Sequence, residues 1–364
     1  MINLLHKRKA DGALRKLTIG APDLIDFSSN DYLGLAHSSV LNQRIKKKFA
    51  ETPTKNGSTG SRLLTGNTTG IINLEDKLAH FFGYPSSTFF SSGYLANLAF
   101  FSTIPQKGDT VLYDEFSHAC IKDGIRLSFA KRMPFRHNNL QDLKAKLKVA
   151  EGEVYIACES VYSMDGDLAP LESLTDIAKA AKAKLVIDEA HSTGIWGDQG
   201  QGLVHAAGLN DVVYAVIHTF GKALGMHGAT LSGQKELKDC IVNFARPFIY
   251  TTAPSDHEVI SIDQGIDYLV DQSNPRKDLF DRIKLFNELL PQSKSPSPIK
   301  SIIIGGNERT KCMSQQLLKE GFDIRPILSP TVKEGSERLR ICLHSFNSDQ
   351  EIISLCSHLK KMLN

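Results

Sequence analysis

The sequence predicts an α/β protein: a mostly parallel central sheet flanked by helices, followed by a smaller C-terminal α+β domain. The first observation behind this is alternation. Ser87–Phe90 leads into GYLANLAFFSTI, Thr110–Tyr113 precedes HACIKDGIRLSFA, and Glu153–Cys158 precedes a loop and LESLTDIAKAAKA. Leu185–Ile187 and Val212–Ile217 follow as further apolar runs. Short strands alternating with helix-period segments build parallel sheets covered on both faces. The second observation is length: 364 residues exceed the ~250–300 at which a single core stops growing. The third is composition. At 41% apolar and 23% charged, the chain is ordinary for a globular protein and unlike collagen, disordered or coiled-coil chains.

The elements follow in order. MINLLHKRKADGALRKL predicts an amphipathic opening helix within an N-terminal arm, residues 1–45. The large α/β domain spans 46–255, with Pro254 near its close. A C-terminal α+β domain, 256–364, begins with a helical stretch from Glu258 to about Leu290, broken near Asn274-Pro275. PQSKSPSP is a loop on composition. A strand (Ser301–Ile304), a helix (Glu308–Glu320), strands around Ile324 and at Leu339–Leu343, and a closing helix (Asp349–Met362) complete it. No internal repeat or low-complexity tract interrupts this order.

Charge and cysteine usage narrow the class. The 43 Lys+Arg against 40 Asp+Glu give +3, too balanced to point to nucleic acid or an anionic membrane surface. Apolar runs such as Val212–Ile217 fall far short of the about 20 residues of a membrane span. The six cysteines contain no CxxC pair, so neither a zinc site nor a disulfide framework is expected, and no metal is predicted. Free thiols fit a reducing cytoplasm. The basic opening lacks the apolar stretch of a signal peptide.

Ligands of open α/β sheets bind just past the carboxyl ends of strands. Asp188 ends an apolar strand in KLVIDEAHSTG, and His191 lies three residues on; taken singly, each is as readily a helix cap or a structural residue. Lys222, in VVYAVIHTFGKALG, is flanked by Phe220, Gly221, Ala223, Leu224 and Gly225. Most lysines are solvated surface charges, but these flanks suit a partly desolvated amine, a Schiff-base former. In SSGYLANLAF a strand gives way to a helix start, where free N–H groups bind phosphate. Together a phosphate cradle, a strand-end carboxylate and such a lysine are what pyridoxal phosphate (PLP) needs. His118, closing VLYDEFSH, is a candidate to cover the ring face. Rival signatures GxxxxGK[ST], HExxH and GxSxG are absent, and Gly200-x-Gly202 neither follows a strand nor has the third glycine of a dinucleotide fingerprint.

At this point the sequence resembles a known family, the α-oxoamine synthases, which are fold-type I PLP-dependent transferases. The motifs are FSSNDYLGL (27–35), GSTGSRLLTGN (57–67), FFSSGYLAN (89–97), YDEFSHACI (113–121), ESVYSMDGDLAPL (159–171), DEAHSTG (188–194), HTFGKALG (218–225) and RLRICL (338–343). They run over nearly the whole chain in this order. The resemblance implies that Lys222 forms the internal aldimine, Asp188 pairs with the ring nitrogen, His191 with the ring hydroxyl, and His118 stacks on the ring. It assigns Ser163 and Thr219 to cofactor contacts and the backbone of Gly93 and Tyr94 to the phosphate. Thr251 and Thr252 would reach the cofactor phosphate of a neighbouring subunit, placing the active site at a homodimer interface. Asn30 and Arg340 would hold the amino-acid carboxylate, with Arg15 and Thr331 contacting substrate, including its acyl group. The GSTGSRLLTG segment is the best discriminator among subfamilies. It implies decarboxylative condensation of L-alanine with a pimeloyl thioester, from CoA or an acyl carrier protein, in biotin biosynthesis. Glycine with acetyl-CoA and serine with a long-chain acyl-CoA are the alternatives within the family. A nucleotide-binding oxidoreductase on a doubly wound sheet is the alternative outside it. Two departures stand out: Ile71 occupies a place where many relatives carry histidine, and the arm ahead of Arg15 is shorter than in some.

Overall fold

The structure, a computed structural model, describes residues 2–15, 17, 19 and 23–363. They fall into two compact units: a smaller one within 1–32, 163–167 and 277–364, and a larger one of 33–162 and 168–276. The predicted opening helix is present as α1 (Ile2–Ala10), with Ile2 and Leu5 exposed. Strand β1 (Ile25–Asp26) follows, also in the smaller unit.

The larger unit opens with α2 (Ser39–Glu51) and α3 (Thr69–Phe82). Both start on hydroxyl caps: Ser38 accepts from Leu41 N–H and Thr68 from Ile71 N–H, satisfying donors that a helix start leaves free. Gly83 ends α3 at φ +75°, a conformation that only glycine adopts cheaply. Ile71 is fully buried in α3, so the departure noted there fills core volume. Alternation then proceeds through β2 (Ser86–Phe90), α4 (Gly93–Thr103), β3 (Thr110–Asp114), α5 (Ala119–Leu127), β4 (Lys131–Phe135), α6 (Leu140–Leu147), β5 (Val154–Glu159), α7 (Leu171–Ala181) and β6 (Lys184–Asp188). After a short helix α8 (Leu203–Ala206) come β7 (Ala215–Thr219), β8 (Ala229–Gly233), α9 (Lys235–Phe244), α10 (Arg246–Ile249) and α11 (Asp256–Asp271).

The seven strands run in the order β2-β8-β7-β6-β5-β3-β4. Every pair is parallel except those of β8, which is antiparallel to β2 and β7. The predicted sheet is therefore correct as mostly parallel, with one reversed strand inside it. Strands β2, β7 and β8 are buried along their whole length, as a sheet covered on both faces demands. Two strands left no apolar run to read. Strand β4, KRMPF, is an exposed edge, where charges and proline blunt further pairing. Strand β8, ATLSG, is central but small and polar. Its hydroxyls are paired internally, Ser232 Oγ with Ser87 Oγ at 2.7 Å and Thr230 Oγ1 donating to Thr88 O at 3.2 Å. The run at 212–217 becomes strand only from Ala215, because Val212 and Val213 donate back to Leu209 O in a turn.

One face of the sheet carries α4, α9 and α10. Phe100, Ile241 and Phe248 pack with Val111, Tyr155, Ile217 and Leu231, each such side chain contributing about 1.5–3 kcal/mol by burial. Helix α11 starts on a capping box between Ser255 and Glu258.

The smaller unit takes α12 (Asn274–Leu289) from Lys277 onward, and that helix leads by a short turn to β9 (Ile299–Ile303), α13 (Asn307–Lys319), β10 (Phe322–Asp323), β11 (Arg325–Ile327), β12 (Arg338–Cys342) and α14 (Asp349–Leu363). The strand expected around Ile324 is two short strands flanking it. β10 pairs in parallel with β1, and β11-β12-β9 form an antiparallel sheet. Phe27, Leu317, Phe322, Leu339, Ile341 and Leu355 are its buried core.

Candidate active site

In the larger unit the parallel strands deliver candidate residues from their carboxyl ends: Gly93 after β2, His118 after β3, Asp188 closing β6, and Lys222 after β7. The reversal into β8 explains the position of Lys222. It rides a tight loop in which Phe220 N–H donates to Gly228 O, Met226 N–H to Phe220 O and Gly225 N–H to Lys222 O. Gly225 has φ +64°, and a Cβ there would stand 2.2 Å from Ala36 N. The lysine is half-buried, with Nζ 2.8 Å from His191 Nε2.

Asp188 is buried at 5% exposure. Its Oδ1 accepts from Ala190 N–H at 2.8 Å, and its Oδ2 from Asn97 Nδ2 at 2.7 Å. Asn97 also donates to Gly93 O at 3.0 Å, so one amide ties the carboxylate to the start of α4. The sequence signal for Asn97 was a lone amide within an apolar helix, one turn beyond Gly93; it was not singled out. His118 caps α5, its Nδ1 accepting from Cys120 N–H at 3.3 Å and lying 2.9 Å from Cys120 Sγ. Burial lowers its pKa, countered in part by the Asp188 carboxylate and reinforced by Lys222. A neutral imidazole suits a ring-face role.

Ser92 caps α4 by accepting from Leu95 N–H. A Cβ on Gly93 would stand 2.3 Å from Thr219 Cγ2, so the backbone passes Thr219 as only glycine permits. Thr219 is 9% exposed, and its Oγ1 is buried without a hydrogen-bond partner. Orphaned buried hydroxyls are uncommon and call for a partner. The Tyr94 hydroxyl is taken up by Asp123, donating to its Oδ2 at 2.5 Å. These residues fit PLP: a side-chain amine, a buried anchored carboxylate, a neutral histidine, a helix start and an unsatisfied hydroxyl.

The structure also joins two motifs that the sequence left apart. Ala253 N–H donates to Gly60 O at 3.0 Å, and Ser58 Oγ donates to Pro254 O at 2.6 Å. The loop after α10 carrying Thr251, half-buried, and Thr252, exposed, is thus tied to GSTGSRLLTGN. That segment is held in turn by Arg62, bidentate to the buried Glu75 at 2.8 and 3.1 Å. Glu75 was another residue overlooked in the sequence.

In the smaller unit Arg340, on β12, donates from Nε to Ser163 O at 2.6 Å and from Nη2 to Asn30 Oδ1 at 3.0 Å. Tyr32 OH donates to the same Asn30 oxygen at 3.0 Å. Arg15 and Thr331, both exposed, also meet, Nη2 to Oγ1 at 3.0 Å. Among the described residues no His, Cys, Asp and Glu group forms a metal site, and no helix is long and apolar enough to cross a membrane.

Residues 22–359 match the family of class I and II aminotransferases. An 8-amino-7-oxononanoate synthase of Lysinibacillus sphaericus is 38% identical over 345 residues, 92% of this chain and 88% of that protein. Among solved structures, a serine palmitoyltransferase from S. paucimobilis with a bound PLP–myriocin aldimine superposes with a TM-score of 0.89 at 26% identity, covering 99% of this chain and 96% of the other. An 8-amino-7-oxononanoate synthase from Francisella tularensis gives 0.81 at 30% identity, covering 94% and 98%.

Proposed function

This chain belongs to the class I and II aminotransferases and, within them, to the α-oxoamine synthases; from that premise we propose a PLP-dependent acyltransferase of biotin biosynthesis. It condenses L-alanine with a pimeloyl thioester, carried on CoA or a carrier protein, giving 8-amino-7-oxononanoate, CO2 and free thiol. The observation that carries the chemistry is the Lys222 Nζ–His191 Nε2 contact at 2.8 Å, with Asp188 anchored at the end of the adjacent strand. The 38% identity to a synthase of that name supports the substrate pair.

PLP, when bound, supplies a conjugated ring that takes up negative charge from the amino acid's Cα. Asp188, kept in place by Asn97 and the Ala190 N–H, would keep the ring nitrogen protonated. Lys222 would hold the cofactor through its amine and, once that amine is free, serve as the base that takes and returns the amino acid's Cα proton at Nζ. His191 Nε2 orients that amine. The backbone N–H groups of Gly93 and Tyr94 and the Thr219 hydroxyl would hold the phosphate, and His118 and Ser163 would complete the cofactor contacts. The Arg340 guanidinium, braced by Ser163 O, binds the substrate carboxylate with Asn30. Fixing that carboxylate would orient the amino acid so that its Cα proton, ahead of its carboxylate, is presented to Lys222 Nζ. Arg15 and Thr331 contact the acyl group.

A homodimer belongs to the same reading, with Thr251 and Thr252 serving the neighbouring subunit's phosphate. Exposed Leu127, Phe129 and Phe244, which line one groove, are apolar surface of the kind a partner covers. Six free cysteines support a cytoplasmic setting.

One observation favours a second reading: the serine palmitoyltransferase backbone matches with the higher TM-score, 0.89 against 0.81. The deciding experiment combines L-alanine, glycine and L-serine with pimeloyl, acetyl and palmitoyl thioesters. Alanine with the pimeloyl donor is expected to give the highest kcat/KM. Faster turnover of serine with palmitoyl-CoA, or glycine with acetyl-CoA, would overturn the substrate pair. Purified protein that takes up no PLP and stays colourless would return the oxidoreductase reading.

A further inference from the structure

Lys300 is a lysine with zero exposure that the chemistry above leaves unused. It lies on β9, and its Nζ donates to two neutral acceptors, Asn287 Oδ1 at 2.8 Å and Ser295 O at 2.5 Å. The Phe286 ring lies 5.7 Å beneath it. Burying an amine among uncharged groups costs free energy, and burial alone lowers its pKa, to about 7. Methionine would fill the same space without that cost, so the donor positions something.

What it positions can be followed bond by bond within the smaller unit. Asn287 Nδ2 also donates to Ser295 O at 2.9 Å, and Ser295 N–H to Asn287 Oδ1 at 3.2 Å. Residue 295 is therefore locked from both sides. Its hydroxyl donates to Gly166 O at 2.7 Å. Gly166 has φ +73°, and a Cβ there would stand 2.3 Å from Ile299 O, so segment 163–167 lies directly against the backbone beside Lys300. Asp165 in this segment pairs with Arg338. Ser163 O, at its start, takes the Arg340 Nε hydrogen bond.

We propose that Lys300 is a positioning residue for Arg340: by fixing Ser295, which fixes Gly166, it sets the Ser163 carbonyl that aims the guanidinium at the amino-acid carboxylate. This rests on the reading of Arg340 as that carboxylate's ligand.

The test uses the PLP-loaded protein and four variants: Lys300→Met, Lys300→Gln, Ser295→Ala and Arg340→Gln. L-alanine is varied at saturating pimeloyl thioester, and alanine binding without acyl donor is titrated through the cofactor's absorption spectrum. Lys300→Met and Ser295→Ala are each expected to raise the alanine KM and dissociation constant about 5- to 10-fold, the scale of one hydrogen bond. Their kcat and acyl-donor KM should stay within about twofold, because the chemical groups are untouched. Lys300→Gln, which retains an N–H donor, is expected to recover most of the loss. Unchanged alanine affinity in Ser295→Ala, or in a folded Lys300→Met, while Arg340→Gln loses it, overturns the positioning role and leaves the Arg340 reading standing. Should Lys300→Met not fold, Ser295→Ala decides. Unchanged alanine affinity in Arg340→Gln removes the reading of Arg340, and the proposal with it.

Discussion

At the scale of single residues, the functional burden concentrates on an amine and a carboxylate with different structural costs. Lys222 is half-buried on a loop whose hydrogen bonds are made by backbone. Lys222→Ala should therefore lower turnover by at least about 10³-fold while the melting temperature of the apo form stays within a few degrees. Near-normal kcat would contradict the assignment. Asp188→Asn keeps an acceptor for the Ala190 N–H but sets a second amide donor against Asn97 Nδ2. We expect about a 10²-fold loss in kcat, typical of removing one preorganised electrostatic partner. An unchanged kcat would count against its role at the ring nitrogen. Lys222, Asp188 and His191 drew attention in the sequence only in combination, as residues directly following apolar strands where ligands of α/β sheets bind. The roles of Asn97 and Glu75 did not show in the sequence: their worth lies in partners across the fold, Asp188 for one and Arg62 and Lys238 for the other.

Among the elements, the start of α4 is where local geometry and ligand binding meet most closely. Gly93→Ala would place a methyl 2.3 Å from Thr219 Cγ2, forcing the first turn away from β7. The expected outcome is PLP affinity reduced about 10-fold or more, one hydrogen bond's worth or greater, measured by titrating apo protein with PLP. Wild-type affinity would show that the helix start does not hold the phosphate. Helices such as GYLANLAFFSTI and LESLTDIAKAAKA were legible from their periodicity, whereas the caps at Thr68, Ser92 and Ser255 came only with the structure. β4 and β8 were not, because edge charges and paired internal hydroxyls replace the apolar runs by which strands are recognised.

On the scale of the whole molecule, stability carries a pH signature set beside the site. Glu189 is fully buried, its Oε1 accepting from Leu203 N–H at 2.7 Å, Val204 N–H at 3.0 Å and Ser192 Oγ at 2.9 Å. Burial raises its pKa to about 7 from an ordinary 4.5. Between those values the folded state binds the extra proton, so this group's contribution is intact below 4.5 and is lost as pH rises through 7. Glu189→Gln, which keeps the accepting oxygen, should escape that loss. Relative to wild type it should fare better at pH 8 than at pH 4.5 by roughly 3 kcal/mol in urea unfolding. An equal difference at both pH values would sink the argument.

By itself the amino-acid order determined the class of sheet, most of its strands, and the lysine, aspartate and histidine to watch, because these depend on local periodicity and on what directly follows a strand. It equally carried the motifs that place the chain in its family. Only the tertiary structure decided that the strand after Lys222 runs backwards, and that residues 23–32 join 277–363 in one unit. It alone showed that a lysine on β9 and an arginine on β12 are linked through segment 163–167. Those facts rest on hydrogen bonds between residues far apart in the chain. No local pattern encodes such partners; the packing of the whole chain selects them.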